Sequence, residues 1–343
     1  MKLSKPAQKL NPKKVLLVQL RRIGDCVLCT PAIRAVKEQF PDAKVDFLAE
    51  YPAEETLRNH PVIRKLWVAP VGGIAGFVEL VRGLRRERYD LVIDFYSNPR
   101  SAQAVFLTGA KVRAGLKRRG RSWAYTHHFI EEEPDHNSYA VDLRLDMLKL
   151  LGIQPGSRRL DIYSDENDRE AKAKANHLLD SLTGIVVAVA TGSANAAKRY
   201  PADLTAQTIE LLRASHMEVI LTSGPGEEEF AKRILTKLSK PVPHLSDARV
   251  PELAALYRHC SLYIGPDSGP KHVAVACGIP TVTIFGPGNP DNWNDKENSR
   301  NLVIAAPCSF RPKCDELECA RLGHIATITP REVLGAALKL LLE

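Results

Sequence analysis

The sequence predicts an α/β protein built from two doubly wound parallel sheets, and three observations carry that prediction. Near-continuous apolar runs of strand length, such as Val15–Leu20 and Ile185–Ala190, recur along the chain, as parallel strands covered on both faces require. Each is followed by a loop and a helical stretch, the alternation that produces right-handed crossovers. The same plan then repeats after a polar, turn-rich stretch from Gly152 to Thr183, where the domain junction is placed. A length of 343 residues suits two domains at about 150 residues each.

In the first half, strand Val15–Leu20 leads into a helix ending near Phe40, then strand Lys44–Ala49, a short helix near Ala53–Asn59 and strand Val62–Val68. Helix Gly76–Arg88, strand Leu91–Phe95, a further unit around 100–116 and an amphipathic helix over 139–151 complete it. The second half reads as strand Ile185–Ala190, helix Ala202–Ala214, strand Val219–Thr222, helix Glu227–Leu238 and a helix at 251–259. Strand Leu262–Ile264, a short helix at 270–277, strand Thr281–Phe285 and a last helix near Arg331–Leu342 follow. The expected domains are therefore 1–165 and 166–330, with a closing helix at 331–343 packing back on the first domain.

Composition narrows the class. Gly (21) and Pro (23) are near ordinary usage, which excludes collagen-like and largely disordered readings. No apolar run reaches the roughly 20 residues needed to span a bilayer, and Met1–Leu10 lacks the apolar core of a signal peptide, so a cytoplasmic protein is expected. Forty-eight Lys and Arg against 40 Asp and Glu give a net charge of +8. The excess is clustered: residues 1–14 hold five lysines and no acid, Arg82, Arg85, Arg86 and Arg88 fall together, and Lys111, Arg113, Lys117, Arg118, Arg119 and Arg121 form a third group. Such clusters suit an anionic partner, whether an acidic membrane surface, a phosphorylated substrate or nucleic acid. No nucleic-acid-binding motif accompanies them, which ranks nucleic acid last.

Seven cysteines in a cytosolic chain are expected to be reduced. Cys26 and Cys29 form a C-x-x-C, yet they enter an apolar helix and read as small core residues rather than a redox pair. Cys308, Cys314 and Cys319, with His324 nearby, are more suggestive of a ligand set, but their spacing fits no standard zinc pattern and their role stays open.

Ligands in such sheets bind beyond the carboxyl ends of the strands, so the loops there hold the candidate chemistry. The first, Arg21-Arg22-Ile23-Gly24-Asp25, has one glycine where a dinucleotide fingerprint needs three, which argues against NAD or FAD. It leaves a carboxylate, Asp25, in the first turn of a helix, where it either complements the helix dipole or serves as a general base. The second, Gly265-Pro266-Asp267-Ser268-Gly269-Pro270-Lys271-His272, joins a strand end to a helix start. Ser268 can cap that helix, Gly269 admits close approach, and free N–H groups at the positive helix end suit a diphosphate. Thr191-Gly192-Ser193 with Lys198-Arg199-Tyr200-Pro201 forms a third candidate phosphate site. Ser223-Gly224-Pro225-Gly226-Glu227 offers an acid for ribose hydroxyls or simply for a helix N-terminus.

Taken together, these motifs resemble the bacterial heptosyltransferases of lipopolysaccharide core assembly, glycosyltransferase family 9. The resemblance rests on V-L-L-V-Q-L-R-R-I-G-D-C-V-L-C-T-P-A-I at 15–33, K-R-Y-P at 198–201 and G-P-D-S-G-P-K-H-V-A-V-A-C-G-I-P-T-V-T-I-F-G-P at 265–287. It covers nearly the whole chain and is weakest over 111–180. It implies a GT-B fold, two Rossmann-like domains facing a central cleft, and an inverting, metal-independent transfer of heptose from ADP-heptose to a lipopolysaccharide inner-core acceptor. By position it makes Asp25 the base on the acceptor hydroxyl and Lys198 a contact of the donor phosphate. Asp267 would hold the sugar hydroxyls and Ser268 and Gly269 the diphosphate, with His272, Thr191, Ser193 and Glu227 in the same donor site. Arg21, Arg22, Lys117, Arg118, Arg119 and Arg121 are assigned to a phosphorylated glycolipid acceptor, although residues 117–121 depart from any fixed pattern of the family and fit the membrane face as well. The implied partners are that acceptor, the donor and the cytoplasmic face of the inner membrane, to which the protein would attach peripherally; no cofactor is expected. Two alternatives remain at this point: a related GT-B enzyme using another nucleotide-sugar or envelope glycan, and a catalytically silent sugar-nucleotide-binding protein.

Overall fold

Strands that are apolar on both faces need helices on both faces, and the chain supplies them twice. A computed structural model describes residues 1–5, 10–131, 138–163, 168–180, 182–193, 195–308 and 323–342. It divides into two compact units, Met1–Asp135 with Ala140–Tyr163, and His136–Tyr139 with Ser164–Glu343.

The first unit holds β1 (Lys2–Leu3), β2 (Lys14–Val18), β3 (Lys44–Glu50), β4 (Ile63–Ala69), β5 (Leu91–Asp94), β6 (Val112–Leu116) and β7 (His127–Ile130). They form one sheet in the order β1-β7-β6-β5-β2-β3-β4, parallel except for β1, which runs antiparallel to β7. Central β2 is buried from Val15 to Val18, as its unbroken apolar run requires. Helices α1 (Ile23–Val27), α2 (Thr30–Gln39), α3 (Ile74–Glu87), α4 (Pro99–Leu107) and α5 (Ala140–Leu150) connect or cover the strands.

The sequence predicts one helix where α1 and α2 stand, and Pro31 explains the break. A continuous helix would need an N–H from Pro31 to the Val27 carbonyl and would drive the proline ring into it. Instead the Thr30 hydroxyl donates to the Val27 carbonyl at 2.7 Å, and Pro31 takes its usual place in the first turn of α2.

The second unit contains α6 (Arg169–Leu179), β8 (Val186–Ala190), α7 (Ala202–Ala214), β9 (Glu218–Thr222), α8 (Glu228–Leu235), β10 (His244–Leu245) and α9 (Val250–Tyr257). It continues with β11 (Leu262–Pro266), α10 (Gly269–Ala276), β12 (Thr281–Phe285), α11 (Pro290–Trp293), β13 (Asn301–Ala305) and α12 (Pro330–Leu342). The all-parallel order β10-β9-β8-β11-β12-β13 reverses direction between β8 and β11. That switch point is where a ligand is expected.

The structure departs from two expectations. Helix α6 lies within the stretch taken as the junction: its buried face is only Ala171 and Ala175, too weakly apolar to register as a periodic signal, and Asp168 caps it by accepting from the Ala171 N–H at 3.0 Å. The closing helix, expected as a separate element, is grouped with the second unit. Val333, Ala337 and Leu340 on α12 join the core of the second unit with Ile209 and Leu212 of α7.

Candidate functional site

Strand order brings the loops after β9, β8 and β11 side by side in the second unit. Thr191 leaves β8, and its hydroxyl donates to Glu227 Oε2 at 2.8 Å; the same carboxylate oxygen accepts the Gly224 N–H at 3.0 Å. Glu227 thereby ties two loops together. Gly192 has to be glycine for this arrangement, because a Cβ there would lie 2.6 Å from Glu227 Oε1. Ser193 turns the loop: its hydroxyl accepts from the Asn195 N–H and its carbonyl from Arg199 Nε.

Lys198 ends a 3-10 turn (Ala196–Lys198), initiated by the Asn195 side chain accepting from the Ala197 N–H. Its ammonium reaches Asp267 Oδ2 at 3.0 Å, both side chains being largely buried. Lys271, one turn into α10, faces the other oxygen of Asp267 at 3.5 Å. It also donates to the Trp293 carbonyl at 2.5 Å and to Asn294 Oδ1 at 3.0 Å. Burial pulls the Lys271 ammonium down to a pKa of about 8, against the upward pull of Asp267. One carboxylate thus stands between two lysines, and Asp267 Oδ1 accepts no hydrogen bond among the described residues. Ser268 is the N-cap residue of α10, but its hydroxyl donates back to the Pro266 carbonyl at 3.3 Å and makes no side-chain cap. This departs from the expected capping role. Gly269 opens the helix, and buried His272 lies edge-on to Trp293 at 6.4 Å between ring centroids.

In the first unit Asp25 sits in the first turn of α1, a fifth exposed, with one carboxylate oxygen 2.9 Å from an Arg144 nitrogen. Arg144 projects from α5, is buried, and spends its other donors on Cys29 Sγ at 3.2 Å and the Ala140 carbonyl at 2.7 Å. Cys26 and Cys29 are fully buried. Desolvation raises both thiols, Cys29 to about 11, so they stay protonated core residues and the redox reading loses its thiolate.

Strands β6, β5 and β2 are neighbours, so the loops after them share one sheet edge and bring Arg21, Arg22, Lys117, Arg118, Arg119 and Arg121 to it. Two of the six are partly neutralised. Arg21 pairs at 2.7 Å with buried Glu50, which also holds Arg100 at 2.5 Å, and Arg118 pairs with Glu131 at 2.6 Å. Arg121 donates to the Ser97 carbonyl at 3.2 Å, whereas Arg22, Lys117 and Arg119 are exposed.

Sequence reasoning missed Arg144, Trp293 and Asn294. The last two follow Pro290 in a short helix that carries no periodic signal, and Arg144 lies far along the chain from its partner. Among the described residues no group of three or more His, Cys, Asp or Glu side chains is placed to hold a metal. Cys314 and Cys319 of the tail set lie outside the described residues.

The sequence profile of glycosyltransferase family 9 (heptosyltransferase) matches residues 77–319. The chain belongs to that family. Lipopolysaccharide heptosyltransferase 3 of Escherichia coli K12 is 28% identical over 94% of this chain and 97% of its own. Among solved structures, a family 9 glycosyltransferase from Veillonella parvula superposes with a TM-score of 0.85 at 22% identity, covering 98% of this chain and 99% of the other. The E. coli heptosyltransferase WaaC with ADP-2-deoxy-2-fluoro heptose gives 0.69 at 22% identity, over 95% and 99%. The GT-B fold is common to them. A more distant neighbour, the dodecameric glycosyltransferase TibC of enterotoxigenic E. coli, is described as iron-containing; its TM-score is 0.55 at 16% identity, over 96% of this chain and 76% of its own.

Proposed function

We propose that this glycosyltransferase moves heptose from ADP-heptose to a lipopolysaccharide inner-core acceptor, with inversion at the anomeric carbon and without a metal ion. The observation that carries the reading is the Lys198–Asp267–Lys271 array at the switch point of the second unit, a cationic floor beside the N-terminus of α10. An ADP leaving group needs compensation of the negative charge that develops as the glycosidic bond breaks. Lys198 and the first N–H groups of α10 supply it when Lys198 turns from Asp267 to the phosphates, and Lys271 then keeps Asp267 compensated. Asp267 is left to accept from the sugar hydroxyls, and Glu227 with Thr191 from the nucleoside. His272 lines the same pocket.

On the acceptor side, Asp25 takes the proton of the incoming hydroxyl as that oxygen forms its bond to the anomeric carbon and the bond to ADP breaks. Arg144 holds the carboxylate by one oxygen and leaves the other to face the acceptor. The arginines and lysine after β2 and β6 receive the acceptor's phosphates. We place the protein on the cytoplasmic side of the inner membrane, peripherally attached.

The test is a donor screen by calorimetry and product analysis. ADP-heptose is expected to bind and transfer while UDP- and GDP-sugars do neither; equal use of a UDP-sugar refutes the donor assignment. Supplying a phosphorylated and a dephosphorylated core acceptor tests the other half.

A further inference from the structure

Helix α3 is amphipathic twice over. One side packs inward through Leu80 and Leu84, with the Trp67 ring lying where Gly83 has no side chain. The outward side begins with apolar residues that water covers: Ile74 is 84% exposed, Val78 37%, and Val71, in the loop just before the helix, 69%. Residues 74, 78, 82 and 85 lie within about 80° on a helix of 3.6 residues per turn, so the stripe changes along its length from Ile74 and Val78 to Arg82 and Arg85, with Arg86 alongside. All three arginines are exposed, and none has a carboxylate within ion-pair distance among the described residues. Of the two acids of this helix, Glu87 is engaged by Lys14, Arg64 and Lys65 and exposed Glu79 makes no ion pair among the described residues, so three arginines stand against one free carboxylate. A further exposed side chain lies beside the apolar end. Glu50 of β3 pairs with Ala69 of β4, so Tyr51 (59% exposed) and the loop beginning at Pro70 leave adjacent strands side by side.

A soluble surface rarely concentrates apolar groups in this way. Four of the eleven exposed large hydrophobics among the described residues, Tyr51, Val71, Ile74 and Val78, belong to this one corner. We infer that this corner of the first unit docks on an anionic phospholipid bilayer, with Val71, Ile74 and Val78 entering the headgroup boundary and Arg82, Arg85 and Arg86 lying on the lipid phosphates. The chemistry selects that occupant: an apolar tip continuous with unpaired cations matches a surface that is apolar beneath and negative on top, and tyrosine favours the same boundary. The inference deepens the peripheral attachment proposed above and rests on that reading for the membrane concerned. The apolar tip follows β4 at the carboxyl edge of the sheet, the edge from which the loop carrying Asp25 also leaves, so docking here presents the base to the lipid side.

The test is vesicle co-sedimentation of the full chain, with phosphatidylethanolamine–phosphatidylglycerol vesicles against phosphatidylethanolamine alone. Binding is expected only to the anionic vesicles and is expected to weaken with salt. Ile74→Ser with Val78→Ser is expected to lower the partition about tenfold. Arg82→Gln with Arg85→Gln and Arg86→Gln is expected to lower it about a hundredfold. Both variants should bind ADP as the parent does, which reports an intact fold. No binding to anionic vesicles, equal binding to neutral ones, or variants that sediment like the parent would each overturn the inference. So would a concentration-dependent dimer abolished by Ile74→Ser, or nucleic acid binding the arginines more tightly than vesicles do. Transfer to a water-soluble truncated acceptor separates the two proposals: vesicle binding without any transfer refutes the enzyme reading alone, and transfer without vesicle binding refutes the docking face alone.

Discussion

The two units are built on one plan and finished differently. At the carboxyl edge of the first sheet the charges are exposed and loosely held: Arg22, Lys117 and Arg119 face water, and Asp25 keeps a fifth of its side chain open. At the same edge of the second sheet the charges are buried and hold one another, with Lys271 on Asp267 and Asp267 on Lys198. Desolvated charges cost free energy unless compensated, so the second edge is a pre-formed cradle suited to one small, constant ligand. The first is an adaptable surface suited to a large, variable one. On the proposed function, the second edge takes the donor and the first the acceptor.

The largest effect that sharpens this contrast should come from Asp25→Asn. Turnover is expected to fall by about a hundred- to ten-thousandfold while the dissociation constant for ADP stays put. Steady-state kinetics beside calorimetry decides it, and undiminished turnover removes Asp25 from the chemistry. Next in size, Lys198→Met removes a buried partner and leaves Asp267 to a single lysine. ADP affinity is expected to drop by about ten- to a hundredfold, measured by titration calorimetry, with no comparable effect from removing an exposed charge of the first unit, as in Arg119→Gln.

Arg144→Met should lower kcat by about tenfold through a misplaced Asp25 and leave ADP binding alone, with Arg144→Lys restoring part of the loss. If ADP affinity moved instead, the assignment of Arg144 to the acceptor half would fail. A smaller, pH-dependent effect belongs to Lys271. Its pKa is depressed on folding, so between about pH 8 and its unfolded value the unfolded chain binds more protons and stability rises with pH; below pH 8 both states are protonated and the dependence vanishes. In denaturant titrations at pH 7, 8, 9 and 10 the parent should therefore gain stability relative to Lys271→Met toward high pH, by up to about 3 kcal/mol. The smallest effect expected is that of a chelator on transfer, which should be none. Strict dependence on added Mg²⁺ or Mn²⁺ would undo the metal-independent step.

Much of the fold was readable because parallel strands advertise themselves: β2 and β8 are unbroken apolar runs, and the loops after them hold Asp25 and Thr191 where the pattern put them. Lys198 and Asp267, 69 residues apart, are grouped because the adjacent strands β8 and β11 carry their loops, an adjacency that alternation alone does not give. What escaped was whatever depended on packing alone. Arg144 meets Asp25 across 119 residues through a helix whose hydropathy says only that it is amphipathic. Alanine-faced α6 looked like linker, and two-residue β1 and β10 are too short for any period to show. The break before α2 is of another kind, since Pro31 by itself forbids the carbonyl bond that a continuous helix needs, and the apolar spacing on either side concealed it.

The closing helix has a consequence for biosynthesis. Because α12 furnishes Val333, Ala337 and Leu340 to the interior of the second unit, that interior stays incomplete on the ribosome until residues 330–342 have emerged, long after the first unit has all its strands. The nascent chain therefore displays an unfinished second unit after a finished first one. A stalled or shortened product would be aggregation-prone in one half only.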